Sequence, residues 1–170
     1  MEVGEGGADL TGCAGLVAQL DELSFTVMGY ISKTPHETFE AVADPQQLSK
    51  YFTTGGAHGR LVPGAEVTWD FADFPGRFPV EVIESVQDEK IVIAWEGTEH
   101  ATAASTTTTF EFAPVDDGAR TLVTVTEKSW KTTVGGAEGA FGNCMGWTGM
   151  LAALKAWIEF GIDLREGFYK

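Results

Sequence analysis

The sequence predicts an α+β fold, in which a curved antiparallel sheet of about six or seven strands wraps around a long C-terminal helix. Apolar residues alternate with polar ones through most of residues 60–130, which is typical of strands. The connections there are short and rich in Pro, Gly and Asp, so neighbouring strands pair antiparallel. After the strands, about residues 137–161 show helical periodicity. This order of elements is typical of a fold in which a helix packs across a twisted sheet.

Length and charge limit the classes of function. A chain of 170 residues is enough for one domain with a real core. Eleven basic and 25 acidic residues give a formal net charge of −14, which argues against binding to nucleic acid or to anionic membranes. Cys13 and Cys144 make no disulfide framework, and the N-terminus lacks the basic region of a signal peptide. We therefore expect a cytoplasmic protein.

The first 23 residues are predicted to be an extension outside the domain, which spans 24–170. Residues 1–9 are glycine-rich and acidic, a composition typical of a disordered tail. Leucines at roughly helical spacing in residues 10–23 predict one short helix.

The domain begins with a strand and two short helices. Residues 24–33 alternate as a strand does. Thr34 is then predicted to cap a helix, with Pro35 in its first turn and Glu37 completing a capping box. Asp44 is the predicted cap of the second helix, which runs toward Tyr51-Phe52.

The remaining strands follow one another in a meander. They are predicted at 60–62, 65–71, 78–86, 90–97, 105–112 and 120–130. Turns are predicted at Pro63-Gly64, Pro75-Gly76, Asp88-Glu89 and 116–118.

The last helix carries a stripe of small residues in the stretch "GAFGNCMGWTGMLAALKA". These residues are Gly139, Gly142, Gly146, Gly149, Ala153 and Ala156. Their spacing alternates between three and four, so all six lie on one helical face. Each interior glycine costs about 1 kcal/mol relative to alanine, so something should offset that cost. Either a neighbouring backbone approaches closely, or the helix leaves a cavity between itself and the sheet.

Strand alternation selects the side chains that would line such a cavity. They are Trp69, Phe71, Val82, Ile93, Trp95, Phe110 and Phe112 on the sheet, with Trp147 and Met150 on the helix. Large apolar groups of this kind suit a small apolar ligand. The alternative is ordinary core packing, since aromatic side chains usually fill cores.

Three polar residues are candidates for a role inside the cavity. Glu84 and Glu127 could face inward, where a carboxylate can act as acid or base or orient a polar ligand group. The alternative for both is a strand end that reaches water. His58, in a glycine-rich loop, could act as a general base, although nothing pairs it with a nucleophile. The sequence contains no catalytic signature, metal-ligand spacing or dinucleotide-binding loop, so we expect no metal and no cofactor.

The sequence also resembles a known family. The resemblance covers about residues 24–161. Its carrying segments are "ISKTPHETFEAVADPQQLSKYF", "GRLVPGAEVTWDF", "PVEVIESVQDEKIVIAWEG", "TTTFEFAPVDDGARTLVTVTE" and "GWTGMLAALKAWIEFG". The chain is similar to the SRPBCC (START/Bet v 1-like) superfamily, and within it to homologues of the activator of the 90-kDa heat-shock protein ATPase (AHSA-like). This resemblance implies a helix-grip fold with a cavity under the C-terminal helix, and it carries no catalytic signature.

Two departures from the family pattern bear on function. The family often has tryptophan where this chain has Tyr51-Phe52. Eukaryotic activators also carry a separate N-terminal chaperone-binding domain that has no counterpart here, which argues against a chaperone partner.

Three function classes follow from this sequence. We expect a protein that binds a small hydrophobic or aromatic ligand in the cavity. One alternative is a cyclase, dehydratase or hydrolase that acts on an aromatic or polyketide-like substrate. The other is a chaperone cofactor, a homodimer or another protein-interaction module, which would show a filled interior and a large exposed apolar patch.

Overall fold

The computed structural model describes residues 20–95 and 98–169. The predicted tail and most of the predicted helix before residue 24 lie outside the described residues. In chain order the elements are β1 (Leu23–Ile31), α1 (Pro35–Ala43), α2 (Pro45–Leu48), β2 (Gly56–His58), β3 (Val67–Phe71), β4 (Phe74–Val86), β5 (Lys90–Trp95), β6 (Thr106–Val115), β7 (Arg120–Trp130) and α3 (Val134–Phe160).

Within the described residues, seven strands form one antiparallel sheet. Its order is β1-β7-β6-β5-β4-β3-β2, so the chain meanders from β2 to β7 and β1 closes the far edge. The predicted α+β class is confirmed, as are the two short helices after the first strand and the long helix at the end.

The start of α1 follows its sequence signature. The Thr34 hydroxyl accepts the backbone N–H of Glu37, and the Glu37 carboxylate accepts the Thr34 N–H at 3.1 Å. This reciprocal pair satisfies two of the donors that a helix start leaves open. α1 buries Phe39 and Val42, and Asp44 caps α2 through the N–H of Gln46 at 2.9 Å. α1 contacts β6 and β7, whereas α2 contacts the edge strand β2.

The predicted strand at residues 60–62 is wrong. Gly59 has a φ of +78°, which turns the chain away from extended geometry. The Leu61 N–H then donates to the carbonyl of Ala43 at 3.1 Å rather than to a strand. The strand in this region is β2, which lies immediately before the turn and pairs with β3.

The predicted turn at Pro75-Gly76 is also displaced. The β3–β4 hairpin pairs Phe71 with Phe74, so the reversal falls on residues 72–73, and Pro75-Gly76 lies within β4. Gly76 has a φ of +141°, an irregular strand geometry that only glycine adopts readily. The strand therefore begins four residues before the predicted start at residue 78, and Phe74 lies in this added part.

The final helix, α3, has 27 residues, which corresponds to about 40 Å. The Thr133 hydroxyl accepts the Gly136 N–H at its start, and Gly161 ends it with a φ of +68°. α3 packs across β1 and β7, and its large apolar side chains join the strands in one core. The hydrophobic burial between helix and sheet is the main source of stability for both.

Candidate ligand-binding cavity

A cavity of about 590 Å³ lies between the first half of α3, the β3–β5 part of the sheet and the segment after the helix. This volume is within the range of roughly 300–1,000 Å³ that small-molecule sites occupy. The lining residues are Phe52, Phe71, Phe74, Phe78, Trp95, Gly142, Asn143, Met145, Gly146, Trp147, Met150, Arg165 and Tyr169. Phe74 and Met145 are mostly exposed, which places them at its mouth.

The glycine stripe of α3 serves two purposes along its length. A Cβ added at Gly142 or Gly146 would meet nothing within 4 Å, and both residues line the cavity. A Cβ at Gly139 would instead lie 2.4 Å from the Trp130 ring. Ala153 is buried in the core. Open space therefore accompanies the middle of the stripe, whereas its two ends are packed.

Trp147 is the centre of the cavity wall. Its side chain is 1% exposed, and its ring lies 5.4 Å from Phe52, 5.2 Å from Trp95 and 5.3 Å from Phe110, measured between centroids. Aromatic pairs at these distances add about 0.5–1.5 kcal/mol each beyond burial alone. The wall is therefore a rigid aromatic surface, suited to a flat apolar ligand.

The nine predicted lining residues divide into two layers. Phe71, Trp95, Trp147 and Met150 border the cavity. The other five are buried behind it, in the core: Trp69, Val82, Ile93, Phe110 and Phe112. They lie on the inward face as the alternation predicts, but they do not border the cavity. The lining rings of Trp95 and Trp147 contact Trp69, and Trp147 also contacts Phe110.

Glu127 lies inside the molecule, with 0% of its surface exposed. Its carboxylate accepts hydrogen bonds from the Asn143 amide at 2.9 Å, from the Thr108 hydroxyl at 3.2 Å and from the Trp147 indole N–H. The Thr108 hydroxyl in turn accepts the Trp95 indole N–H at 3.0 Å. A buried carboxylate needs such donors to offset desolvation. The expectation of a strand end in water is therefore wrong for Glu127.

The role of this network is to hold the cavity wall. Trp95, Asn143 and Trp147 all border the cavity, and each is oriented by a hydrogen bond that leads directly or through Thr108 to Glu127. Glu127 itself is not among the lining residues. The carboxylate thus positions groups that a ligand would touch.

Glu84 faces the surface. Alternation from buried Val82 would place Glu84 inward. A bulge between these two residues shifts the β4 register, so Glu84 pairs with Val92 and faces outward. The Glu84 carboxylate lies 2.9 Å from the Lys90 ammonium, at a half-exposed site. The inward position considered for Glu84 is therefore wrong, and its strand-end alternative holds.

His58 is exposed on β2, an edge strand, and is not among the lining residues of the cavity. The structure therefore does not bring it together with the other predicted site residues. Within residues 20–95 and 98–169, no group of three His, Cys, Asp or Glu side chains could hold a metal ion.

Sequence reasoning missed the far wall of the cavity, which contains Arg165 and Tyr169. Arg165 is only 6% exposed; its Nη1 lies 2.9 Å from the Asp73 carboxylate, and its guanidinium stacks 4.6 Å above the Tyr169 ring. This segment has neither helical nor strand periodicity, so no spacing signal marks it. Phe74 was missed because the hairpin is longer than predicted. Phe78 lies within the predicted strand and shares the alternation of Val82, so the period-two pattern was a signal that could have found it.

None of the helices in the described part of the chain is long and apolar enough to cross a membrane.

A sheet that curls around one long helix over an internal cavity defines a helix-grip protein of the SRPBCC class. The chain belongs to the family described as "Activator of Hsp90 ATPase homolog 1-like protein", whose model matches residues 33–159. No curated protein matches the sequence.

Several solved structures share the fold. Protein SSP2350 from Staphylococcus saprophyticus superposes with a TM-score of 0.69 at 21% identity, over 84% of this chain and 96% of that one. The Aha1 dimer from Colwellia psychrerythraea gives 0.66 at 21% identity, over 82% and 98%. DynU16, from the dynemicin biosynthetic locus, gives 0.66 at 21% identity, over 84% of this chain and 49% of its own.

Proposed function

We propose that this protein binds a small hydrophobic or aromatic molecule in the cavity beneath the first half of α3. The observation that carries the proposal is an aromatic-walled space of about 590 Å³ beside two glycines whose missing side chains leave it open. The apolar walls of a space of this size offer many dispersion contacts to a ligand. Glycine in a helix interior lowers helix stability relative to alanine. The space that a ligand needs explains why glycine stands at positions 142 and 146.

The cavity lining favours binding over acid–base catalysis. Among the described residues that line it, none carries a carboxylate or an imidazole. In the described part of the chain, Glu127 accepts hydrogen bonds from three donors behind the wall. A cyclase, dehydratase or hydrolase would need polar groups that converge on a reacting atom. The enzyme alternative therefore has less support than the binding proposal.

Two further expectations stay predictions. A homodimer is one of them: the Aha1 protein from Colwellia psychrerythraea is described as a dimer, and exposed Phe74, Phe141 and Met145 leave apolar surface on this chain. A cytoplasmic location is the other. Native mass spectrometry of protein purified from its own host would report a bound small molecule and the oligomeric state in one spectrum.

The test of the binding proposal uses N-phenyl-1-naphthylamine, an uncharged dye whose fluorescence rises in apolar surroundings. The Gly146→Leu variant places a side chain in the cavity, and Ala152→Leu adds the same side chain at an exposed position of the same helix. We expect one dye molecule per wild-type chain and an affinity at least about tenfold lower for Gly146→Leu, a loss of about 1.4 kcal/mol.

Ala152→Leu should bind the dye as the wild type does, and urea unfolding should show that both variants are folded. Absence of dye binding to the wild type would refute the proposal. Equal affinities of the two variants would refute the location of the site.

A further inference from the structure

We propose that the ligand carries an oxygen hydrogen-bond acceptor beside its aromatic body, and that Arg165 binds this oxygen at the far wall of the cavity. The inference rests on the proposed function, because it names the chemical class of molecule that the same cavity takes.

Arg165 is held rigidly by three contacts. Its Nη1 donates to Asp73 Oδ2 at 2.9 Å, its Nε donates to the Phe52 carbonyl at 3.4 Å, and the guanidinium stacks over the Tyr169 ring. Phe52 and Tyr169 also line the cavity. The side chain is therefore preorganised beside the ligand space, and a ligand need not order it.

The Nη2 group of Arg165 takes part in neither of these two hydrogen bonds. It donates to no acceptor in the described part of the chain. Among the described residues, two fully buried side-chain donors have no hydrogen-bond partner, namely the indole nitrogens of Trp69 and Trp130. Nη2 of Arg165 is not one of them. Nη2 therefore keeps accessible surface although the residue is 94% buried, and the space that Arg165 borders is the cavity.

The chemistry of this position selects an acceptor. A guanidinium offers only donors, so the matching ligand group is a carbonyl, carboxylate or similar oxygen. The Asp73 carboxylate already pairs with the positive charge of Arg165. A ligand with a neutral carbonyl therefore leaves no charge unpaired in the site. The aromatic walls hold the rest of the molecule, since Phe71, Phe78 and Trp95 supply no comparable charge.

Two ligands of nearly equal shape test this assignment. In 2-acetylnaphthalene a carbonyl replaces the first methylene of 2-ethylnaphthalene, so the pair differs chiefly in one acceptor oxygen. Each is used to displace N-phenyl-1-naphthylamine from the full chain. A purely apolar cavity would prefer the more hydrophobic ethyl compound. We expect the acetyl compound to bind about tenfold more tightly, the scale of one hydrogen bond to a charged group.

Two variants separate ligand binding from a structural role. Arg165→Met keeps a long side chain but removes every donor, and Asp73→Asn weakens the same anchor while it keeps the guanidinium. We expect Arg165→Met to lose the preference for the acetyl compound and Asp73→Asn to retain it. If Arg165 only anchored the segment after α3, both variants would change the affinities for both ligands equally.

The outcomes distinguish this inference from the binding proposal. Failure of the dye to bind wild-type protein would remove the proposed function itself. Dye binding with no preference for the acetyl compound would overturn the inference and leave the function standing. A preference that survives Arg165→Met would overturn it as well. If Arg165→Met fails to fold, the ratio of the wild-type affinities for the acetyl and ethyl compounds still tests the inference.

Discussion

Both halves of α3 carry small residues on one face, but the two halves pack differently. In the second half, Leu151, Ala153 and Leu154 are buried against the sheet. In the first half, Gly139 is packed against Trp130, but Gly142 and Gly146 face open space and large apolar residues are exposed nearby. A small residue on a helical face can therefore mark close packing or a space, and only the position of the opposite wall decides which.

Polar anchoring also differs between the two halves. In the second half, Glu159 accepts the Ser32 N–H at 2.6 Å and the Lys155 ammonium at 2.6 Å, which ties the helix to the end of β1. Burial pushes the pKa of Glu159 up, but these hydrogen bonds outweigh it and hold the pKa below its ordinary value. In the first half the anchor is the buried Glu127, which holds the cavity wall instead.

The largest expected difference is in core packing. Leu154→Ala should lower the free energy of unfolding by about 2–5 kcal/mol, because Leu154 is fully buried and its loss leaves a void. Met145→Ala is the matched change in the first half, where the side chain is mostly exposed at the cavity mouth. It should cost less than about 0.5 kcal/mol. Urea unfolding measures both, and equal costs would contradict the contrast between the packed second half of α3 and the cavity mouth beside its first half.

A smaller effect is expected at the buried carboxylate. Glu127→Gln replaces one carboxylate oxygen by an NH2 group, which would face the N–H and O–H donors around it. This variant should lower the free energy of unfolding by roughly 1–3 kcal/mol. Glu84→Gln makes the same change at a half-exposed ion pair, where less than about 1 kcal/mol is at stake.

Urea unfolding of the two variants gives these costs, and near-ultraviolet circular dichroism reports the surroundings of Trp95 and Trp147. The spectrum should change for Glu127→Gln alone. If both variants were equally stable and gave the wild-type spectrum, Glu127 would not be what positions the wall.

The sequence predicted those parts of the fold whose causes are local. The capping box at Thr34 and Glu37 forms because its two partners are three residues apart, and β7 follows the alternation of its own residues. The strand at residues 60–62 failed because Leu61 satisfies its backbone through Ala43, a partner distant in sequence. Local patterns do not report such partners.

The cavity shows the same limit. Alternation placed Trp69 and Phe110 on the inward face, and both lie there, but alternation cannot tell the first layer of a wall from the second. Glu84 was misplaced by one bulge, which reverses the facing of the residues beyond it. Arg165 could not be found because its site forms only when the segment after α3 folds back to Asp73.

The smallest expected effects concern the glycines of α3, and here the two explanations of the stripe predict opposite signs. Gly142→Ala adds a methyl group to open space and removes a glycine from a helix interior, so it should raise the free energy of unfolding by about 0.5–1 kcal/mol. Gly139→Ala gains the same helix propensity, but its methyl group would lie 2.4 Å from the buried Trp130 ring. It should therefore lower the stability, since a large ring in a packed core cannot move aside without cost.

Urea unfolding of the two variants on one day, with the wild type beside them, resolves differences of this size. A gain for both would mean that Trp130 moves freely, and a loss for both would mean that the space beside Gly142 is not open.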